Sequence, residues 1–213
     1  MDFGSLLEIV GDEPVFETGL LLSGDVSPSD VRRQLSRWTS AGWLHQLRRG
    51  VYALAPPYQK AKPHPFLVAN VMVRGSYVSL QSALAYHGMI PEHTPLVTSV
   101  STGRTRRWET VLGAYEYRHL KVEWLHGYQL LEVAHRQSAF VALPEKALLD
   151  LIYLQPGGDS PEYLAELRLQ GLQRLNLDSL GRLVGESGRP KLRRAARHIH
   201  SLARAEANEV EGL

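Results

Sequence analysis

The stretch from Ser27 to Tyr52 reads S-P-S-D-V-R-R-Q-L-S-R-W-T-S-A-G-W-L-H-Q-L-R-R-G-V-Y and changes its period partway along. Val31, Leu35 and Trp38 recur at i, i+4 and i+7, which predicts a helix with one buried stripe. Ser27 stands where a cap is wanted, Pro28 suits the first helical position, and Asp30 resembles a capping-box partner. Gly42 stops the helix. Trp43, Leu44 and Leu47 then lead into Arg48-Arg49-Gly50, and Val51-Tyr52-Ala53-Leu54 returns as a second strand, so a short hairpin is expected with two arginines at its tip.

The faces left over by the apolar stripe carry Ser29, Arg32, Arg33, Ser36, Arg37 and Ser40. Hydroxyls interleaved with arginines suit DNA, because Arg pairs bidentately with guanine and Ser reaches bases or phosphates. Five Arg stand against one acid between Ser27 and Gly50. The preceding stretch to Val26 holds Asp2, Glu8, Asp12, Glu13, Glu17 and Asp25 and no Lys or Arg. That segregation of charge favours phosphate neutralisation over an ordinary solvated face. Ser27, Ser29, Arg32, Arg33, Ser36 and Arg37, with Arg48, Arg49 and Tyr52 of the hairpin, are the candidate DNA contacts.

Upstream, Phe3 to Val10 has the pattern of a short helix, broken by Gly11-Asp12-Glu13-Pro14. Val15 to Leu22 reads as a second helix, with a short strand as the alternative, and Ser23-Gly24-Asp25-Val26 as the turn after it. Three helices and a basic hairpin make a winged helix-turn-helix, expected over residues 1–55. The prolines of residues 56–65 mark a stiff linker that holds two domains at limited separation without fusing them.

Residues 66–213 read as a mixed α+β domain, so the fold class expected for the chain is α+β. Helices are predicted over Phe66–Val73, Ser79–Tyr86, Pro144–Leu154, Pro161–Arg168, Leu177–Val184 and Pro190 to about Asn208. Strands are predicted over Leu96–Ser101, Val111–Leu112, Ala114–His119, Val122–Leu125 and Phe140–Leu143, with a meander as the simplest connection.

Composition bounds the function. The chain has 213 residues, a net charge of +2 and no Cys, which excludes disulfides and thiolate metal sites and suits a reducing cytoplasm. The start M-D-F-G-S-L-L-E is no signal peptide, and no apolar run approaches the ~20 residues that span a bilayer. A cytoplasmic protein is expected.

No catalytic constellation emerges. His198 and His200 stand two apart on a predicted helix and point away from each other; His119 and His126 have no specified carboxylate; His87 and His93 flank a turn. There is no H-E-x-x-H and no phosphate-binding glycine loop, so neither metal nor cofactor is expected. Glu145-Lys146 after Pro144 is the most enzyme-like pair, as in a metal-dependent nuclease. A helix start is sufficient to explain it, with Lys146 and Asp150 spaced as an i,i+4 pair. Two further basic clusters, Arg104, Arg106 and Arg107 beside Trp108, and Arg193, Arg194 and Arg197 on the last helix, could extend a DNA footprint, bind RNA, face an acidic partner or be plain solvated surface.

The segment R-R-G-V-Y-A-L at Arg48–Leu54, the proline-bearing connector, Y-V-S-L-Q-S-A-L-A-Y-H-G at Tyr77–Gly88 and L-P-E-K-A-L-L-D at Leu143–Asp150 together resemble the AbiEi family of antitoxins. The resemblance runs from about Ser5 to Leu154. It implies a transcriptional repressor of a type IV toxin–antitoxin (abortive infection) operon that binds inverted repeats in its own promoter through the N-terminal domain. It also implies a second domain that counters a nucleotidyltransferase-like toxin without a stable complex. Family DNA contacts would map onto Ser29, Arg32, Arg33 and Arg37, and onto Arg48 and Arg49. A DNA-guided nuclease and a protein-interaction module are the rival readings.

Overall fold

A computed structural model describes residues 1–23, 26–91 and 95–211. The expected turn at Gly24-Asp25, and His93, lie outside the described residues. The fold is mixed α+β and contains two sheets.

The chain starts with helix α1 (Phe3–Val10), capped by Asp2, whose carboxylate accepts the Ser5 amide at 2.8 Å. Strand β1 (Phe16–Glu17) follows, then a 3-10 turn over Thr18–Leu21. The second helix expected over Val15–Leu22 is therefore replaced by these two pieces. Phe16 and Glu17 pair with Tyr52 and Val51 across a sheet, and Thr18-Gly19 has poor helix propensity. Helix α2 (Pro28–Ser40) buries Val31, Leu35 and Trp38, and Gly42 follows it at φ +76°. The capping box does not form. Asp is too short to reach back as Glu would; Asp30 instead takes Arg33 Nη2 at 2.6 Å, while Ser27 Oγ bonds Ser29 Oγ at 2.8 Å. Strands β2 (Leu44–Arg48) and β3 (Val51–Leu54) form the hairpin, with a bulge between Gln46 and Arg48, and the first sheet runs β1-β3-β2.

After the connector come α3 (Pro65–Met72), β4 (Tyr77–Val78), α4 (Leu80–Tyr86), β5 (Leu96–Ser101), β6 (Arg106–Thr110), β7 (Gly113–His119), β8 (Tyr128–Ala134) and β9 (Gln137–Ala142). Helices α5 (Pro144–Leu154), α6 (Pro161–Glu166), α7 (Leu177–Ser187) and α8 (Pro190–Glu211) complete it. The second sheet is ordered β6-β7-β5-β4-β9-β8. It is not a meander: β5 pairs β7 in parallel, as β4 pairs β9, so the chain crosses over between them. Val111-Leu112, expected as strand, is the two-residue turn between Thr110 and Gly113, and Val122–Trp124 is a 3-10 turn that delivers Trp124 to the core.

Two apolar clusters meet across the hairpin. Leu44, Tyr52 and Leu54 join the small cluster with α1 and α2, while Leu47, Val51 and Ala53 join the large cluster of the second sheet. Strand alternation produces that division, and it buries β3 on both faces. The connector is pinned as well, since His64 N donates to Gln137 Oε1 at 2.7 Å and Gln137 Nε2 to the Lys62 carbonyl at 3.0 Å. It is no free spacer. No described helix is long and apolar enough to cross a membrane.

Candidate nucleic-acid interface

On α2 the side opposite Val31, Leu35 and Trp38 is open. Ser29, Arg32, Arg33, Ser36 and Arg37 are all exposed, as is Ser27 at the cap. Arg32 has no partner among the described residues. Arg37 Nη1 makes only a long contact to Gln34 Oε1, 3.4 Å, and Arg33 is held by Asp30. Three guanidinium groups on one solvent-facing helix surface can reach phosphates or base edges with little desolvation of their own.

The hairpin arginines separate. Arg49 lies exposed at the turn, where Gly50 takes φ +82°. Arg48 is the Cα partner of Val51, which faces the large cluster, so Arg48 projects toward the second sheet and away from α2. It is half-buried. The expected single surface of α2 with both tip arginines is thus divided by strand alternation. Tyr52, expected on that surface, is buried, stacked on Phe16 at 5.9 Å with its hydroxyl accepting from Gln46 Nε2 at 3.0 Å.

The other basic clusters are also split. Arg104 and Arg106 line the groove that Arg48 enters, whereas Arg107 pairs with Glu109 at 3.0 Å. On α8, Arg194 pairs with Asp159 at 2.7 Å, and Arg193 and Arg197 are exposed. Leu192, Ala195, Ile199 and Ala203 bury the other side of that helix.

Glu145 and Lys146 stand in the first turn of α5, as expected, but they and Asp150 lie wholly inside. Lys146 and Asp150 of α5 form an ion pair with both side chains fully enclosed. Asp150 also accepts from Ser79 Oγ at 2.8 Å and Tyr77 Oη at 3.0 Å. Burial pushes the Asp150 carboxyl up and the Lys146 ammonium down, each opposed by the charge of the other. Burial and the Asp150 charge also hold the Tyr77 phenol far above its usual range. Lys146 Nζ stands 5.3 Å from the Trp124 ring centroid and 5.7 Å from that of Tyr77. A Cβ on Gly127 would come within 3.0 Å of the Lys146 stem. Glu145 is also buried, its carboxylate accepting the Asn176 amide at 2.6 Å.

These contacts join two distant blocks of sequence. Tyr77 and Ser79 meet Asp150, and His87 Nε2 donates to the Ala142 carbonyl at 2.8 Å. Thr98 of β5 ties the same turn, its Oγ1 donating to the Ser79 carbonyl at 2.8 Å while its amide donates to Ser82 Oγ at 2.8 Å. Leu80, between them, is held at φ +57°, a conformation that costs an L residue about 1–3 kcal/mol. The i,i+4 spacing of Lys146 and Asp150 was visible in the sequence; nothing local signalled that three other segments would cover it. Among the described residues no group of His, Asp and Glu is arranged to hold a metal ion.

No family model matches the chain, and no curated protein does. Among solved structures, the crystal structure of the RV2827C protein from Mycobacterium tuberculosis has a similar fold, with a TM-score of 0.56 over 93% of this chain and 76% of that one, at 19% identity.

Proposed function

We propose that the chain is a sequence-specific DNA-binding repressor whose residues 1–55 act as a winged helix-turn-helix domain, with α2 as the helix that enters the major groove. The observation that carries this reading is the open face of α2, where Arg32, Arg33 and Arg37 stand exposed among serines with no carboxylate except Asp30 among the described residues. The resemblance to AbiEi antitoxins supports the biological setting: an operon repressed by its own product through inverted repeats, and a nucleotidyltransferase-like toxin countered without a stable complex. The division of the hairpin narrows the contact set to the α2 residues and Arg49.

The nuclease reading finds less support, since Glu145, Lys146 and Asp150 are enclosed and already engaged with one another or with Asn176. Retardation of the chain's own promoter DNA tests the proposal. Replacing Arg32 or Arg37 by Ala should weaken specific binding by about 1–3 kcal/mol where the side chain contacts a base. Arg49→Ala should weaken all duplexes alike and flatten the salt dependence. Unchanged retardation in the triple variant would overturn it, and Mg²⁺-dependent cleavage lost on Glu145→Ala would favour the nuclease instead.

A further inference from the structure

Between the hairpin and the second sheet lies a groove of about 290 Å³. Four arginines line it: Arg48 from β2, Arg74 just beyond α3, Arg104 from the β5–β6 loop and Arg106 at the start of β6. Arg74 is neutralised by Glu17. Arg48, Arg104 and Arg106 meet no carboxylate among the described residues. The Arg48 guanidinium donates through Nη1 to the Arg49 carbonyl at 3.2 Å, and its enclosed Nε has no partner among the described residues. Trp108 and Tyr117 supply an aromatic wall, edge to face at 5.3 Å, with the Arg106 guanidinium 5.9 Å from the Trp108 centroid.

Unneutralised like charges gathered in one concavity repel, and a bound dianion reverses the sign of that interaction. The guanidinium fork matches phosphate oxygens in pairs. An indole beside it favours a ligand that also carries a planar ring. The volume falls at the lower end of small-molecule sites, about 300–1,000 Å³, which fits a mononucleotide and is far too small for a duplex. Position separates the groove from the α2 surface, because the hairpin packs α1 and α2 on one side and faces the groove with the other.

We propose that this groove binds a small phosphate ester bearing a planar ring, of mononucleotide size, independently of the face of α2. Such a ligand would fasten β2 to β6, tying the hairpin to the second sheet. The proposal goes beyond DNA binding and does not rest on it.

Calorimetric titration of the full chain with AMP, GMP, CMP and UMP, at one fixed ionic strength, tests it. At least one mononucleotide should bind saturably, inorganic phosphate at least tenfold more weakly, and the matching nucleoside not measurably. Arg104→Ala with Arg106→Ala should lower mononucleotide affinity at least tenfold while the thermal unfolding midpoint falls no lower than that of the wild type, since both side chains are exposed and their loss relieves like-charge repulsion. Arg32→Ala with Arg37→Ala should leave that affinity untouched whatever it does to DNA retardation, so failure of either reading is distinguishable. The proposal is overturned if no mononucleotide saturates the wild-type chain, or if the groove variant binds as tightly. It is equally overturned if the groove variant loses duplex retardation while no mononucleotide binds, which would assign these arginines to the DNA backbone.

Discussion

Asp30–Arg33 on α2 and Lys146–Asp150 on α5 are both acid–base pairs one helical turn apart, and the molecule uses them in opposite ways. The first has side chains 70% (Arg33) and 57% (Asp30) exposed, whereas both members of the second are fully enclosed. An exposed pair is screened by water and adds little to stability, so its charges stay available to a partner. An enclosed pair has surrendered its hydration, and the fold must supply every replacement contact. Asp150 finds three donors and Lys146 two aromatic faces, which makes α5 the post to which β4, α4 and the Gly127 turn are fastened.

The largest effect that would break this contrast is on the enclosed pair. Asp150→Ala leaves a buried ammonium alone and should cost about 3–5 kcal/mol, read from urea unfolding. That is a large share of the roughly 5–15 kcal/mol by which domains are stable. Lys146→Met combined with Asp150→Leu should recover most of the loss, because a packed apolar pair needs no hydrogen bonds. A double variant no better than the single one would mean that Ser79 and Tyr77, left without their acceptor, dominate. Tyr77→Phe sharpens the point: it removes one hydroxyl from a charged acceptor and should cost about 1.5–3 kcal/mol. Equal stability of that variant would show that Asp150 is served well enough by Ser79 and Lys146.

The exposed pair should behave differently on both counts. Asp30→Ala should change stability by no more than about 1 kcal/mol. It also removes the one acid among the α2 arginines and frees Arg33, so on the proposed DNA-binding function affinity for DNA should rise a few-fold at low salt, measured by anisotropy. A fall in affinity would mean that Asp30 orients Arg33 for its contact.

How much of this could be read from the chain follows from where the information sits. The stripe Val31, Leu35, Trp38 and the helix from Pro144 to Leu154 were legible, because period and proline placement are local signals. Strands β6 and β8 were not. They are the sheet's edges, R-R-W-E-T and Y-Q-L-L-E-V-A, and their pairing partners rather than their own pattern make them strands. Arg48 and Arg49 show the same limit at the candidate site. As neighbours in sequence they looked like one patch, yet a bulge and a two-residue turn send them to different surfaces. The burial of Lys146 depends on segments up to about seventy residues away, as the Tyr77 contact shows.

The smallest effect concerns the join between connector and second sheet. His64 caps α3 with Nδ1, which accepts the Phe66 amide at 3.2 Å and must therefore be unprotonated. Burial lowers its pKa below the ordinary 6.5, so the folded chain binds this proton less readily than the unfolded chain does. The stabilisation is fully present above pH 6.5 and is lost as pH falls toward the folded value. His64→Asn keeps an acceptor at the cap but cannot titrate. Between pH 7.5 and 5.5 the wild-type unfolding midpoint should fall more steeply than that of the variant, the other histidines contributing equally to both. Parallel profiles would show that the cap survives protonation by flipping the ring, and that the connector is held at this point by the Gln137 contacts instead.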